Sequence, residues 1–194
     1  MRMPFRRSRR GSAPWPQGVE MPIFVRRQEP PRARGGYQLF RPFVRDDFSE
    51  CCAYCLLHEV LAAGPDNFHL DHFRPKSHPL FAHLRDEYYN LYYSCSVCNR
   101  YKSNRWPDDE MVAAGLIFVD PCQEAFSDHF LESEDGRWVS LTHAGEFTEA
   151  MLRLNREHLV KLRARLRSLS VKVDGAPIRW DHPCREQVRT LLNI

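Results

Sequence analysis

Apolar positions along the chain change their spacing several times, and each change marks an element. From Tyr37 to Cys51, the residues Tyr37, Leu39, Phe40, Phe43, Val44 and Phe48 recur at mixed helical spacing and predict a short helix packed on a core. A brief helical run is expected over Leu56–Ala62, and Gly64-Pro65-Asp66-Asn67 is a turn by composition. Phe68–Phe73 alternates as a strand does and stops at Pro75, which cannot donate a ladder hydrogen bond. Tyr88–Ser94 predicts a second strand, followed by a short helix over 96–103. Its tyrosines Tyr88, Tyr89, Tyr92 and Tyr93 have faces on which bases can stack, but packing in a strand core is the preferred reading. Downstream, His129–Thr142 reads as a hairpin around Asp135-Gly136. Thr148–Leu169 is helical, with Met151, Leu154, Leu162 and Leu166 on one side, and Asn155 is placed to split it by capping a second helix. A last short helix is expected over Pro183–Leu192.

The pattern fails over residues 1–36, where Pro, Gly and Arg dominate and no packed core is expected. This divides the chain into a basic, disordered arm at 1–36 and one domain at 37–194, a length that can bury a real core. Residues 1–45 hold eleven Arg against two Glu, a net charge of +9, so the remainder carries −6 of the total +3. An arm so basic attracts polyanions, nucleic acid first among them. The plainer alternatives are a solvated leader or a true start at Met21. No apolar run approaches the roughly 18 residues of a membrane span, and the Arg-rich start lacks the apolar region of a secretory signal. No membrane partner is therefore expected.

Seven cysteines are an odd number, and four fall into metal-type pairs, which points to a reducing, cytoplasmic setting. Cys51, Cys122 and Cys184 read as small buried hydrophobes or free thiols. Cys52/Cys55 and Cys95/Cys98 can each aim two thiolates at one ion from a tight turn, and together they complete a tetrahedral structural zinc site. Thirty-nine residues lie between the pairs, so an insertion loops out of the site. That insertion carries Asp71-His72. A carboxylate suits a hard divalent cation and an imidazole suits deprotonating water, although on a straight strand the two would face opposite ways. Arg74 and Lys76 follow at once and can neutralise phosphate oxygens, while Asn99 and Lys102 share one helix face after Cys98. His69 is two residues before Asp71 and a candidate for a supporting hydrogen bond; His78 and His83 are read as non-catalytic. The basic face with Arg153, Arg156, Lys161, Arg163, Arg165 and Arg167 is open to three readings: solvated surface, DNA track or docking face.

The segments Cys52-Ala-Tyr-Cys55, His69-Leu-Asp-His72-Phe-Arg-Pro-Lys76, Asn90-Leu-Tyr-Tyr-Ser-Cys95 and Cys98-Asn-Arg-Tyr-Lys102 together resemble the HNH endonuclease signature. The resemblance is to its zinc-knuckled branch, as found in retron-associated and Septu-type anti-phage systems, and it covers about Tyr37 to Ser170. It implies an α+β fold with a ββα-metal core, a structural zinc site, flanking helices and a β-hairpin. It also implies roles: His72 as the general base, Asn90 orienting the catalytic loop, Asp71 and Asn99 as ligands of a catalytic Mg²⁺ or Mn²⁺, and Arg74, Lys76 and Lys102 on the nucleic acid. Asn99 stands where many relatives have histidine, which makes this an H-N-N variant. The function implied is metal-dependent hydrolysis of phosphodiester bonds in DNA, with RNA left open, in prokaryotic defence. Two alternatives stay beside it: a nuclease subunit silent until licensed by an ATPase partner, and a zinc-stabilised nucleic-acid-binding module without catalysis.

Overall fold

The computed structural model describes residues 24–32 and 35–170. At its centre β1 (Phe68–His72) pairs antiparallel with β2 (Leu91–Cys95), in a register that sets Phe68 against Cys95, Asp71 against Tyr92 and His72 against Leu91. Helix α2 (Ser96–Lys102) leaves β2 without a break, so the ββα unit is present. β2 is buried along its whole length, and β1 exposes only His69. The tyrosines explain why. Tyr92 lies 4.8 Å from Phe73, 5.3 Å from Phe48 and 6.4 Å from Tyr54, ring to ring. Strand-core packing therefore takes Tyr88, Tyr92 and Tyr93, and Tyr89 alone is exposed.

The predicted helix near Tyr37 is a 3-10 turn over Tyr37–Phe40 running into α1 (Arg41–Asp47), whose proline sits in the first turn where its missing N–H costs nothing. The run expected after Cys55 is a 3-10 turn over Glu59–Ala62, and Tyr88–Asn90 is a 3-10 turn before β2 rather than part of it. One boundary shifts. Composition argues against packing anywhere in 1–36, yet Phe24 is 1% exposed, its ring 4.7 Å from that of Phe48. The Arg26 guanidinium donates to Asp47 at 3.0 Å and to the carbonyls of Leu91 and Tyr88 at 3.1 Å each. Two well-placed side chains suffice to dock a segment whose average composition reads as unfolded.

The rest of the described chain builds a second layer against α2. Helices α3 (Asp109–Ala113) and α4 (Phe126–His129), which sequence periodicity misses because they are so short, lead into the hairpin of β3 (Phe130–Glu132) and β4 (Trp138–Ser140). α5 (His143–Leu152) begins earlier than expected because Thr142 caps it, its hydroxyl accepting the Gly145 N–H at 3.0 Å. It ends at Arg153, which adopts a left-handed φ of 50°, and α6 (Glu157–Ser170) follows. Asn155 marks that break but does not cap α6 with its side chain: its amide both accepts from and donates to the backbone of Trp138, at 2.8 Å each way. The buried face here carries Leu152, Leu154, Leu159, Arg163 and Leu166, with Met151 and Leu162 half-buried. Gly136, at φ 84°, lets the hairpin turn touch α6: a Cβ there would stand 2.4 Å from the Val160 carbonyl oxygen. No described helix is long and apolar enough to cross a membrane. The helix expected over Pro183–Leu192 and the residue Cys184 lie outside the described residues.

Candidate metal centre and catalytic cleft

The two Cys pairs meet although they are far apart in sequence. The Sγ atoms of Cys52, Cys55, Cys95 and Cys98 all lie within 4.8 Å of one another, and all four residues are buried. Cys55 and Cys95 are 3.9 Å apart at sulfur, too far for a disulfide. That spacing is close to the edge of about 3.8 Å that a tetrahedron of zinc–sulfur bonds requires. The first pair is held by a tight turn in which Leu57 O accepts from Cys52 N at 2.9 Å, Cys52 O accepts from Leu56 N at 3.0 Å, and Leu56 takes a positive φ of 60°. The second pair straddles the start of α2, where Cys95 serves as N-cap and its sulfur accepts from Cys98 N at 3.4 Å. Thiols crowded in this way compete for charge. Burial opposes ionisation at Cys52, but hydrogen bonds from Cys55, Cys95 and Cys98 hold its pKa well below the usual value, and the hydrogen bonds that Cys55 and Cys98 make to Cys52 push theirs well above it. A divalent cation resolves that competition for all four. Arg156 stands behind the cluster with Nη2 3.4 Å from the Cys98 sulfur; burial lowers its pKa, but the sulfurs of Cys98, Cys55 and Cys95 together raise it above the ordinary value. The basic residues here are thus divided: Arg156, just before α6, and Arg163 on it turn inward, while Lys161 pairs with Glu157 at 2.5 Å in solvent.

Sixteen residues beyond Cys55, β1 delivers Asp71, with His72 next to it. Both are buried, so the strand does not send one of them to open solvent. His72 Nε2 lies 2.8 Å from the Arg85 carbonyl oxygen. A carbonyl can only accept, so Nε2 carries the proton and Nδ1 holds the lone pair of the neutral ring. Burial pushes the His72 pKa below its ordinary value, against the pull of the Arg85 carbonyl. Asn90 fixes the loop that supplies this carbonyl: its side chain accepts from Arg74 N at 2.9 Å and donates to the carbonyls of Arg74 at 3.0 Å and Leu84 at 3.2 Å.

Asp71 is held at one oxygen. Oδ2 accepts from the Tyr54 hydroxyl and lies 3.3 Å from Lys102 Nζ, which also donates to the His72 carbonyl at 2.8 Å. Burial raises the Asp71 pKa and lowers that of Lys102, each against the pull of the other, so desolvation outweighs attraction within the pair.

A cleft of about 520 Å³ opens over this point. It is lined by Asp71, His72, Asn99 and Lys76, so four of the expected site residues meet on one surface. Three others do not line it: Asn90 lies beneath as a loop staple, Arg74 is exposed beside Phe81, and Lys102 is wholly buried under Asp71 rather than displayed to a phosphate. His69 lines the cleft, as do Tyr37, Arg41 and Arg100. The Tyr37 ring meets His72 edge-on at 4.7 Å and its hydroxyl accepts from Lys76 Nζ at 2.9 Å. Nothing in the local sequence of Tyr37 or Arg41 separates them from ordinary helix residues; only the fold brings them to the site. Asp71 and Asn99 put two oxygen donors on the cleft, a hard set suited to Mg²⁺ or Mn²⁺.

Residues 52–105 match the family model described as HNH endonuclease. This stretch is an HNH domain. It spans both zinc knuckles, β1, β2 and α2, and the four-cysteine cluster fits the zinc-knuckled form of the HNH fold. The chain is also 28% identical to the Septu protein PtuA of Bacillus mycoides (strain KBAB4), over 67% of its own length and 21% of that relative. It thus spans about a fifth of that relative. The cleft wall formed by Tyr37 and Arg41 lies outside the HNH match and belongs to the flanking helical segment.

Proposed function

We propose that this chain is a metal-dependent HNH endonuclease that cuts DNA in anti-phage defence. The observation that carries the reading is the convergence of Asp71, His72 and Asn99 on one cleft, above a loop stapled by Asn90. The likeness to a Septu protein supports the defence setting. The four cysteines hold structural zinc, and their closed set leaves no position for a substrate.

His72 is the general base. Its proton on Nε2 is committed to the Arg85 carbonyl, which leaves Nδ1 to accept the proton of the attacking water. Asp71 and Asn99 would hold the divalent ion. When bound, Mg²⁺ or Mn²⁺ stabilises the charge that develops on the scissile phosphate and the departing oxygen. Lys76 and the cleft arginines Arg41 and Arg100 neutralise the backbone on either side. Lys102 acts from below, fixing Asp71 and the His72 carbonyl.

The test is cleavage of supercoiled plasmid by the zinc-loaded protein in Mg²⁺, Mn²⁺ or EDTA, beside His72→Ala. Nicking that needs the metal and falls on the order of 10²–10⁴-fold in the variant is expected. A folded protein that binds DNA but never cuts, even with candidate ATPase partners added, would make it a binding module. Cutting only with a partner present would identify a licensed subunit.

A further inference from the structure

We propose that Tyr54 is a positioning residue for Asp71, so that the zinc knuckles and the catalytic carboxylate work as one mechanical unit. The inference rests on the reading of Asp71 as a divalent-metal ligand. Tyr54 sits between Cys52 and Cys55, is 1% exposed, and donates its hydroxyl to Asp71 Oδ2. The turn that carries it is tied to β2 by Ala53 N donating to the Tyr93 carbonyl at 2.7 Å, and its ring lies 11° from parallel with Tyr92, the strand partner of Asp71. The other knuckle makes a matching contact. Lys102 lies four residues beyond Cys98 on α2, one helical turn on, and reaches the same Oδ2 at 3.3 Å. Each half of the zinc cluster thus delivers one donor to one carboxylate oxygen.

The consequence is orientation. The terminal torsion of an aspartate is broad, so an unheld carboxylate samples many angles at little cost. Two donors converging on Oδ2 fix that torsion and reserve Oδ1 for the cleft. Tyr54 does so as a neutral donor, adding no positive charge beside an incoming cation. A second prediction follows from reciprocity: if zinc geometry sets the metal site, occupancy of the metal site must in turn hold the zinc.

Mn²⁺ binding to the zinc-loaded protein, measured by calorimetry for the wild type, Tyr54→Phe and Asp71→Asn, tests both links. The expected result for Tyr54→Phe is unchanged zinc content with a Kd for Mn²⁺ raised on the order of tenfold, the loss of one hydrogen bond to a charged group. Asp71→Asn should abolish the binding. Wild-type affinity in Tyr54→Phe, with binding lost in Asp71→Asn, would overturn the positioning role and leave the metal-site reading intact. Undiminished binding in Asp71→Asn, or none in the wild type, would overturn both. In the unaltered protein, saturating Mn²⁺ should tighten zinc binding severalfold in an equilibrium competition against a zinc-selective chelator; an unchanged zinc affinity would overturn the coupling.

Discussion

His72 shows how much of this chemistry turns on one side chain's surroundings. Its imidazole is buried, held by a carbonyl at Nε2 and met edge-on by Tyr37, and burial lowers its pKa from the ordinary value. A general base must be neutral, and a lowered pKa keeps it neutral to lower pH. Cleavage rate at saturating metal should therefore stay flat from neutrality down past about 6.5, the free-histidine range, and decline only at lower pH. A pH–rate profile that already declines above that range would contradict the assignment. The sign for stability is the same. The unfolded chain takes up the His72 proton first, so this contribution is fully present above the unfolded pKa and is lost as pH falls through the folded one.

Among elements, the hairpin and α6 carry the sharpest steric demand. Gly136 combines a φ of 84° with a virtual Cβ 2.4 Å from the Val160 carbonyl, and its own carbonyl accepts from Arg163 Nε at 2.6 Å. Backbone, not a flexible side-chain tip, is what a methyl would meet. Gly136→Ala should cost roughly 1–3 kcal/mol, read from the midpoint of urea unfolding, with the zinc content retained. The knuckle turn makes the opposite choice: Leu56 holds a positive φ of 60° without being glycine, a strain of roughly 1–2 kcal/mol set against burial of its side chain. A metal held by Cys52 and Cys55 would supply the constraint that keeps such a turn in place.

At the scale of the molecule, the core is an aromatic chain that runs from Phe24 through Phe48, Tyr92 and Phe73 to Trp106 and Phe118. Its first link lies upstream of the HNH match and joins the basic leading segment to the sheet that carries Asp71 and His72. Phe24→Ala should destabilise the protein by about 3–5 kcal/mol, the usual cost of emptying a buried phenylalanine site, measured by thermal or urea unfolding of the zinc-loaded form. A change below 1 kcal/mol, roughly the effect of a surface substitution, would show that this segment is only loosely attached.

The sequence by itself determined the cysteine pairs and the local elements. The two Cys-x2-Cys pairs do meet in one cluster, the alternation that stops before Pro75 is β1, and Asp71-His72 between the pairs is the dyad on which the proposed chemistry rests. Those are short-range constraints, so residue type and spacing express them directly. Tertiary structure decided which side chains share a surface. Lys102 went beneath Asp71 instead of toward a phosphate because α2 packs its inner face on β1, and a helix face cannot be assigned an inside from i, i+3 spacing alone. Tyr37 and Arg41 reached the cleft, Asn155 was claimed by the hairpin backbone, and Phe24 entered the core through contacts between residues distant in the chain. Those contacts join segments that the four-cysteine cluster and the aromatic core hold side by side.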